Sequence, residues 1–176
     1  MSLVPLLATV AVAWSAPQAA AAVALVTPGK ISVAEVSGPA ERTAMTAAAL
    51  RYASFWNTGD ETLARQALAP DFLDRTLPPG RAQGVQGALD ASRTFRAAVP
   101  DLSCAVEQLI VAGDRVVAHL HFRGHFSGRF GDHQGRGQAV DFTATDIYRI
   151  ADGRIAENWH IEDNLTLLTQ LGVVTP

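Results

Sequence analysis

Apolar residues recur every three or four positions behind Pro39 and Glu41, at Met45, Ala48, Ala49, Tyr52, Phe55 and Trp56, and Gly59 closes the run. That spacing predicts an amphipathic helix with proline near its start and glycine past its end. Asp60 then stands as the N-cap of a short second helix through Leu63, Ala67 and Leu68, ended by Pro70. "DFLDRT" (71–76) alternates and runs into Pro78, Pro79 and Gly80, which predicts a short strand and a loop. "VQGALDASRTFRAAV" (85–99) carries Val85, Leu89, Phe95 and Val99 at helical spacing and stops at Pro100, with Gly87 as its weak point.

From Ser103 the period changes from helical to alternating. "CAVEQLIV", "AGDR" and "VVAHLHFRGHF" form one hairpin pattern, and "AVDFTATDIYRI", "ADGR" and "IAENWHIE" form a second. The glycine-rich "SGRFGDHQGRGQ" between them joins strand to strand and opens no helix, so it is not a phosphate-binding loop. "DNLTLLTQLG" predicts a final helical turn or two. Helices first and strands after indicate an α+β fold in which one face of an antiparallel sheet is covered. A sheet curved around helices leaves a cone whose mouth suits a small molecule.

Alternation also assigns faces. Leu120, Phe122 and Phe126 share one face, which leaves His119, His121, Arg123 and His125 pointing out, as a solvated or subunit-contacting surface. Histidines two apart on a strand point the same way, so His119, His121 and His125 form an alternative metal site, against which Arg123 speaks. Phe142, Ala144, Asp146, Tyr148 and Ile150 share a face. A carboxylate among such neighbours is either partnered or functional. Asp146 is therefore the candidate general base, with Asp141, on the opposite parity, the weaker one. On the last strand Glu157 and Trp159 share parity and His160 opposes them: Trp159 reads as pocket wall, and His160 as an acid–base partner or a surface histidine. Arg75, ahead of the Pro-Pro-Gly loop, reads as a rim residue that polarises a carbonyl or as a solvated arginine.

Composition narrows the function. Fourteen basic against seventeen acidic residues, scattered, give a formal charge of −3, which lacks the basic footprint of a nucleic-acid binder. The one cysteine, Cys104, excludes an internal disulfide and a thiolate cluster. With 48% hydrophobic residues in 176, the chain suits one well-packed domain. Residues 1–22 place an apolar run, Leu3 to Ala13, before small residues at Ala19 to Ala22, the order of a secretory signal too short to span a bilayer, though without a basic start. The expectation is export to the periplasm or beyond, with no membrane attachment after processing, a tether or loosely attached first strand over 23–38 and a domain over 39–176.

Taken in order, "FWNTGD", "APDFLDRTLPPGRAQG", "VPDLS", "GDRVVAHLHFRGHFSGRF", "VDFTATDIYRIADGRIAENWHIED" and "LLTQLG" resemble the SnoaL-like polyketide cyclases, or ester cyclases, of the NTF2-like superfamily, over roughly residues 40–172. The resemblance implies a curved antiparallel sheet wrapped around three N-terminal helices, commonly a homodimer through the outer sheet face, and cofactor-free ring closure by an acid with a nearby histidine. It departs from the family at one motif. Relatives commonly read G-T-H-x-G where this chain has Gly124, His125, Phe126, Ser127 and Gly128, so Phe126 holds the histidine position and His125 faces inward only if a bulge at Gly124 turns it. The expected catalytic set is Asp146, His125, His160 and Arg75. The expected pocket wall is Tyr52, Trp56, Phe72, Phe122, Phe126, Phe142, Tyr148 and Trp159. The expected ligand is a small hydrophobic carbonyl compound, turned over by a cyclase or isomerase or held without turnover by a binding protein.

Overall fold

The left-handed turn at Gly59 (φ 77°) ends helix α1 (Pro39–Thr58), whose Met45, Ala48, Ala49, Tyr52, Ala53 and Phe55 are all buried. Glycine adopts that conformation without the penalty a side chain brings. The Asp60 carboxylate accepts the Thr62 N–H and starts α2 (Glu61–Ala67). The computed structural model describes residues 25–29, 31–33 and 38–175. The expected signal segment, 1–22, lies outside the described residues.

The expected helix end at Pro70 is corrected: α2 stops at Ala67, and Pro70 sits inside strand β2 (Leu68–Asp74). A proline is tolerated there because β2 is an edge strand, bonded to a neighbour on one side only. Helix α3 (Gly84–Ala98) follows, and Gly87 within it has a steric reason. A Cβ at that position would overlap the Ala82 carbonyl, so the helix packs on the preceding loop only through glycine.

The strands are β1 (Ile31–Val33), β3 (Ser103–Ala112), β4 (Arg115–Phe126), β7 (Gln138–Ala151) and β8 (Arg154–Glu162), with β2 completing one sheet in the order β1-β3-β4-β7-β8-β2. The four long strands are antiparallel neighbours as expected, but both edges, β1 on β3 and β2 on β8, pair in parallel, so the sheet is mixed. Asp152 and Gly153 both have positive φ (50° and 70°), the two-residue hairpin turn that "ADGR" predicts. The glycine-rich loop holds a miniature hairpin, β5 (Arg129–Phe130) with β6 (His133–Gln134). Helix α4 (Asn164–Gln170) closes the chain against β7. Curved and not closed, the sheet lies over α1 and α3, and the core fills the space between. No helix among the described residues is long and apolar enough to cross a membrane.

Replacing an unobstructed helical glycine by alanine stabilises by up to about 1 kcal/mol. Gly87→Ala is expected to act in the opposite direction and destabilise by about 1–3 kcal/mol, because either the helix or the Ala82 loop must move. Urea unfolding of the variant beside the wild type measures the sign.

Candidate functional site

Two connected compartments open between the sheet and the helices. The inner one is a recess of about 40 Å³, bounded by Tyr52, Phe72, Leu120 and Ala144 and carrying Asp74, Asp146, Asn158 and His160. The outer one is a chamber of about 630 Å³ walled by Phe95, Phe122, Phe130, Phe142, Leu167 and Leu168. Trp56, Arg81, Ala82 and Phe122 border both. A recess of that size takes a water molecule or one functional group, whereas the chamber lies within the range of small-molecule sites.

The wall is built by strand pairing. Phe122 of β4 lies opposite Phe142 of β7, and their rings stack at 5.1 Å with an 11° tilt. Trp56 meets Phe122 edge-on at 6.1 Å, and Phe95 meets Phe142 edge-on at 5.9 Å. Such offset-stacked and edge-to-face contacts hold rings in place beyond their burial.

Asp146, 5% exposed, projects from β7 into the recess. Burial raises its pKa to about 6, while the Tyr148 hydroxyl, donating at 2.6 Å, and the His160 charge act in the opposite sense. Tyr148 is itself driven well above the usual phenol range by burial and by Asp146, so it remains a donor. Directly opposite Asp146 across the β7–β8 ladder stands His160. Its Nδ1 donates to Glu162 at 2.6 Å and its Nε2 to both Asp74 oxygens at 3.0 Å. Burial alone would lower this imidazole, but the two carboxylates outweigh it and raise it to about 9. Glu162, which burial would raise, is held below the usual carboxylate range by His160. Near neutral pH the recess thus pairs an ionised carboxylate with an imidazolium.

The sequence pattern of the SnoaL-like polyketide cyclases matches residues 46–171. The chain belongs to the SnoaL-like polyketide cyclase family. A candidate polyketide cyclase from Bacillus cereus is 40% identical, covers 86% of this chain and 95% of its own, and superposes with a TM-score of 0.79. TsrD from Streptomyces laurentii is 28% identical over 76% of this chain and 98% of its own, at a TM-score of 0.68. IdmH from Streptomyces antibioticus, a candidate polyketide cyclase, is also 28% identical, over 75% of this chain and 98% of its own, at 0.63. No curated protein matches the chain.

Within this SnoaL-like frame the expected site residues separate. Asp146 and His160 meet in the recess, with Tyr52, Trp56, Phe72 and Phe122 around them and Phe142 in the chamber. His125 does not join them. The β4–β7 register runs without a bulge past Gly124, so His125 points outward, with Nδ1 bonded to Asp101 at 2.7 Å. Arg75 is engaged away from the cavity by Glu157, which Arg149 also holds. Trp159 is on the outer face, opposite Ile147, with the Arg115 guanidinium 5.0 Å above its ring. Phe126 and Tyr148 point inward but are fully buried and border neither compartment.

The outward histidines are separately engaged. His119 bonds Thr145 at 2.8 Å, and His121 bonds Glu107 at 2.7 Å and Asp141 by its other nitrogen. Asp141 above all, with Glu107, raises the His121 pKa against the opposing effect of burial. Among the described residues no group of three or more His, Cys, Asp or Glu is placed to hold a metal ion. Sequence reasoning missed Asp74, Arg81, Asn158 and Glu162. For Asn158 and Glu162 the signal was present, since both share the two-residue period of His160 on β8. Asp74 and Arg81 flank a loop whose path no periodicity encodes.

The His160 ion pairs have a readable pH signature. Because its pKa in the folded chain lies above the free value of 6.5, its contribution to stability is complete below about 6.5 and is lost as pH rises toward about 9. Urea unfolding at half-unit steps from pH 6 to 9 is expected to show wild-type stability falling across that window. His160→Gln, less stable throughout, is expected to lack that fall.

Proposed function

We propose that the chain is a cofactor-independent cyclase or isomerase that acts on a small hydrophobic carbonyl compound by acid–base chemistry. The observation that carries this reading is the Asp146 carboxyl, buried at the inner end of an apolar chamber, raised to about 6 and faced by the charged His160. A base whose pKa lies near working pH is the most effective for drawing a proton from carbon. Family membership and the candidate cyclases among the solved relatives point the same way.

Asp146 would take the proton α to the carbonyl, leaving the C–H electrons as an enolate. The enolate carbon would attack a second carbonyl of the same molecule to form the ring bond, and Asp146 would return the proton to the new alkoxide. The proton is conserved through the cycle, and no oxidant or reductant enters. His160 keeps both ring nitrogens on carboxylates, so it serves as a fixed positive charge that favours ionised Asp146 and opposes charge build-up, and not as a mobile donor. The proposal includes export through the Leu3–Ala13 run and a homodimer through the outer sheet face, where Ile147 and Ile161 are exposed.

Asp146→Asn keeps the shape and the Tyr148 contact and removes the base. Deuterium exchange from D₂O into a bicyclic ketone such as 2-tetralone, followed by NMR, is expected to fall by about 10²–10⁴-fold in the variant. Wild-type exchange is expected to rise with pH through about 6 and decline through about 9, as Asp146 ionises and His160 loses its charge. Unaltered exchange in Asp146→Asn would rule out Asp146 as the base, whereas ligand binding with no exchange above background in the wild type would leave the cone as a binding module.

A further inference from the structure

One cation at the site stands apart from the rest. Arg81 is half-buried where recess and chamber meet, bordering both. Its backbone N–H goes to the Pro78 carbonyl at 3.2 Å, but no group among the described residues accepts a hydrogen bond from its guanidinium or lies in ion-pair contact with it. Its neighbours in sequence and space are differently placed: Arg75 is spent on Glu157 and Arg93 on Glu61 and Asp90. The charge of Arg81 reaches Glu162 and helps keep it ionised, yet the bond made by Glu162 goes to His160. A planar fork of five donors at an apolar wall, with no acceptor among the described residues, fits an acceptor supplied by a ligand.

We propose that Arg81 makes the chamber a site for a hydrophobic keto acid, with the ligand's free carboxylate on the guanidinium and its body against the Phe122–Phe142 ring pair. The inference rests on the chamber being the substrate site and adds the class of substrate: the free acid, in preference to its ester or a neutral ketone. The surrounding charges permit this. Asp90 at the chamber wall is held by Arg93 at 2.9 Å and by Gln86 at 2.8 Å, and Glu162 and Asp74 share the His160 imidazolium. Those three carboxylates are therefore already engaged, and the fourth, Asp146, stands in the inner recess with the Tyr148 hydroxyl donating to it and His160 opposite. Desolvation by the aromatic wall strengthens a charge-assisted pair that would be weak in open solvent. Bidentate binding at the junction also fixes which end of the ligand faces Asp146.

The test is calorimetric titration of the full chain with 4-(2-naphthyl)-4-oxobutanoic acid and with its methyl ester. Wild type is expected to bind the acid at least about tenfold more tightly than the ester, as a charge-assisted bidentate pair implies. Arg81→Gln is expected to lose that preference while holding the ester as before. Arg81→Lys, which keeps the charge without the fork, is expected to retain only part of it. Equal affinities in the wild type, a preference that survives in Arg81→Gln, or no binding of either compound would overturn the inference. Asp146→Asn separates this claim from catalysis: the acid preference persists there whether or not proton exchange is lost, so either can fail alone.

Discussion

Twelve residue pairs in unbroken register, from Arg115 opposite Arg149 to Phe126 opposite Gln138, join β4 to β7, and that ladder decides which side chains reach the cavity. A shift of one residue would exchange every inward group for an outward one. The apolar members fix the choice. Burying Leu120, Phe122, Phe126, Phe142 and Tyr148 contributes on the order of 10 kcal/mol together. Drawing Asp146 inside raises its pKa from 3.8 to about 6, which corresponds to about 3 kcal/mol against its ionised form. The carboxyl is carried in by its neighbours, and the fold tolerates the local conflict because Tyr148 and the opposing His160 relieve part of it. Conflicts of that kind between burial and charge are what make a group titrate near neutral pH.

The same ladder explains the position of His160. Its backbone is paired to Asp146, and its N–H goes to the Thr76 hydroxyl at 2.9 Å, which ties β8 to the loop after β2. Asp74, at the end of β2, is oriented by the Thr76 N–H at 2.9 Å. The parallel edge pairing of β2 on β8 thereby delivers one carboxylate to the imidazole, and Glu162, two residues along β8, delivers the other. Neither is close to Asp146 in sequence. The positive charge in the recess is a product of sheet topology.

Local period and turn chemistry made much of this legible in the sequence. Helix α1 with its Gly59 stop, the Asp60 cap, the two hairpins and the inward placement of Asp146 follow from spacing alone, because each rests on contacts between near neighbours. Four things did not. The parallel edges depend on strands of three and seven residues finding partners far along the chain, and alternation carries no record of the partner. The face of β8 was misread at Trp159: a large aromatic ring suggests an interior position, yet here it lies outside beneath Arg115. The arginine that borders the cavity is Arg81, six residues beyond the expected Arg75, since a loop's path is set by the loop's own turns and by what it packs on. His125 failed for a simpler reason. Its inward turn required a bulge, and the pairing on either side of Gly124 is regular.

Dividing the cavity into a narrow recess and a broad chamber separates two kinds of selectivity. A volume of about 40 Å³ admits no ring, so only a single functional group, or a water molecule, can stand against Asp146. The chamber, faced with aromatic rings, sorts ligands by the size and flatness of the body that remains outside the recess. A ligand can therefore reach Asp146 only with a group that projects from an apolar frame the chamber accepts. Changes to Phe95, Phe130 or Leu168 would alter which molecules enter while the charge pattern around Asp146 stays as it is, because none of those three borders the recess. A fold with this partition can change which ligands its wall admits while the charges around Asp146 stay in place, so fold and selectivity can vary separately.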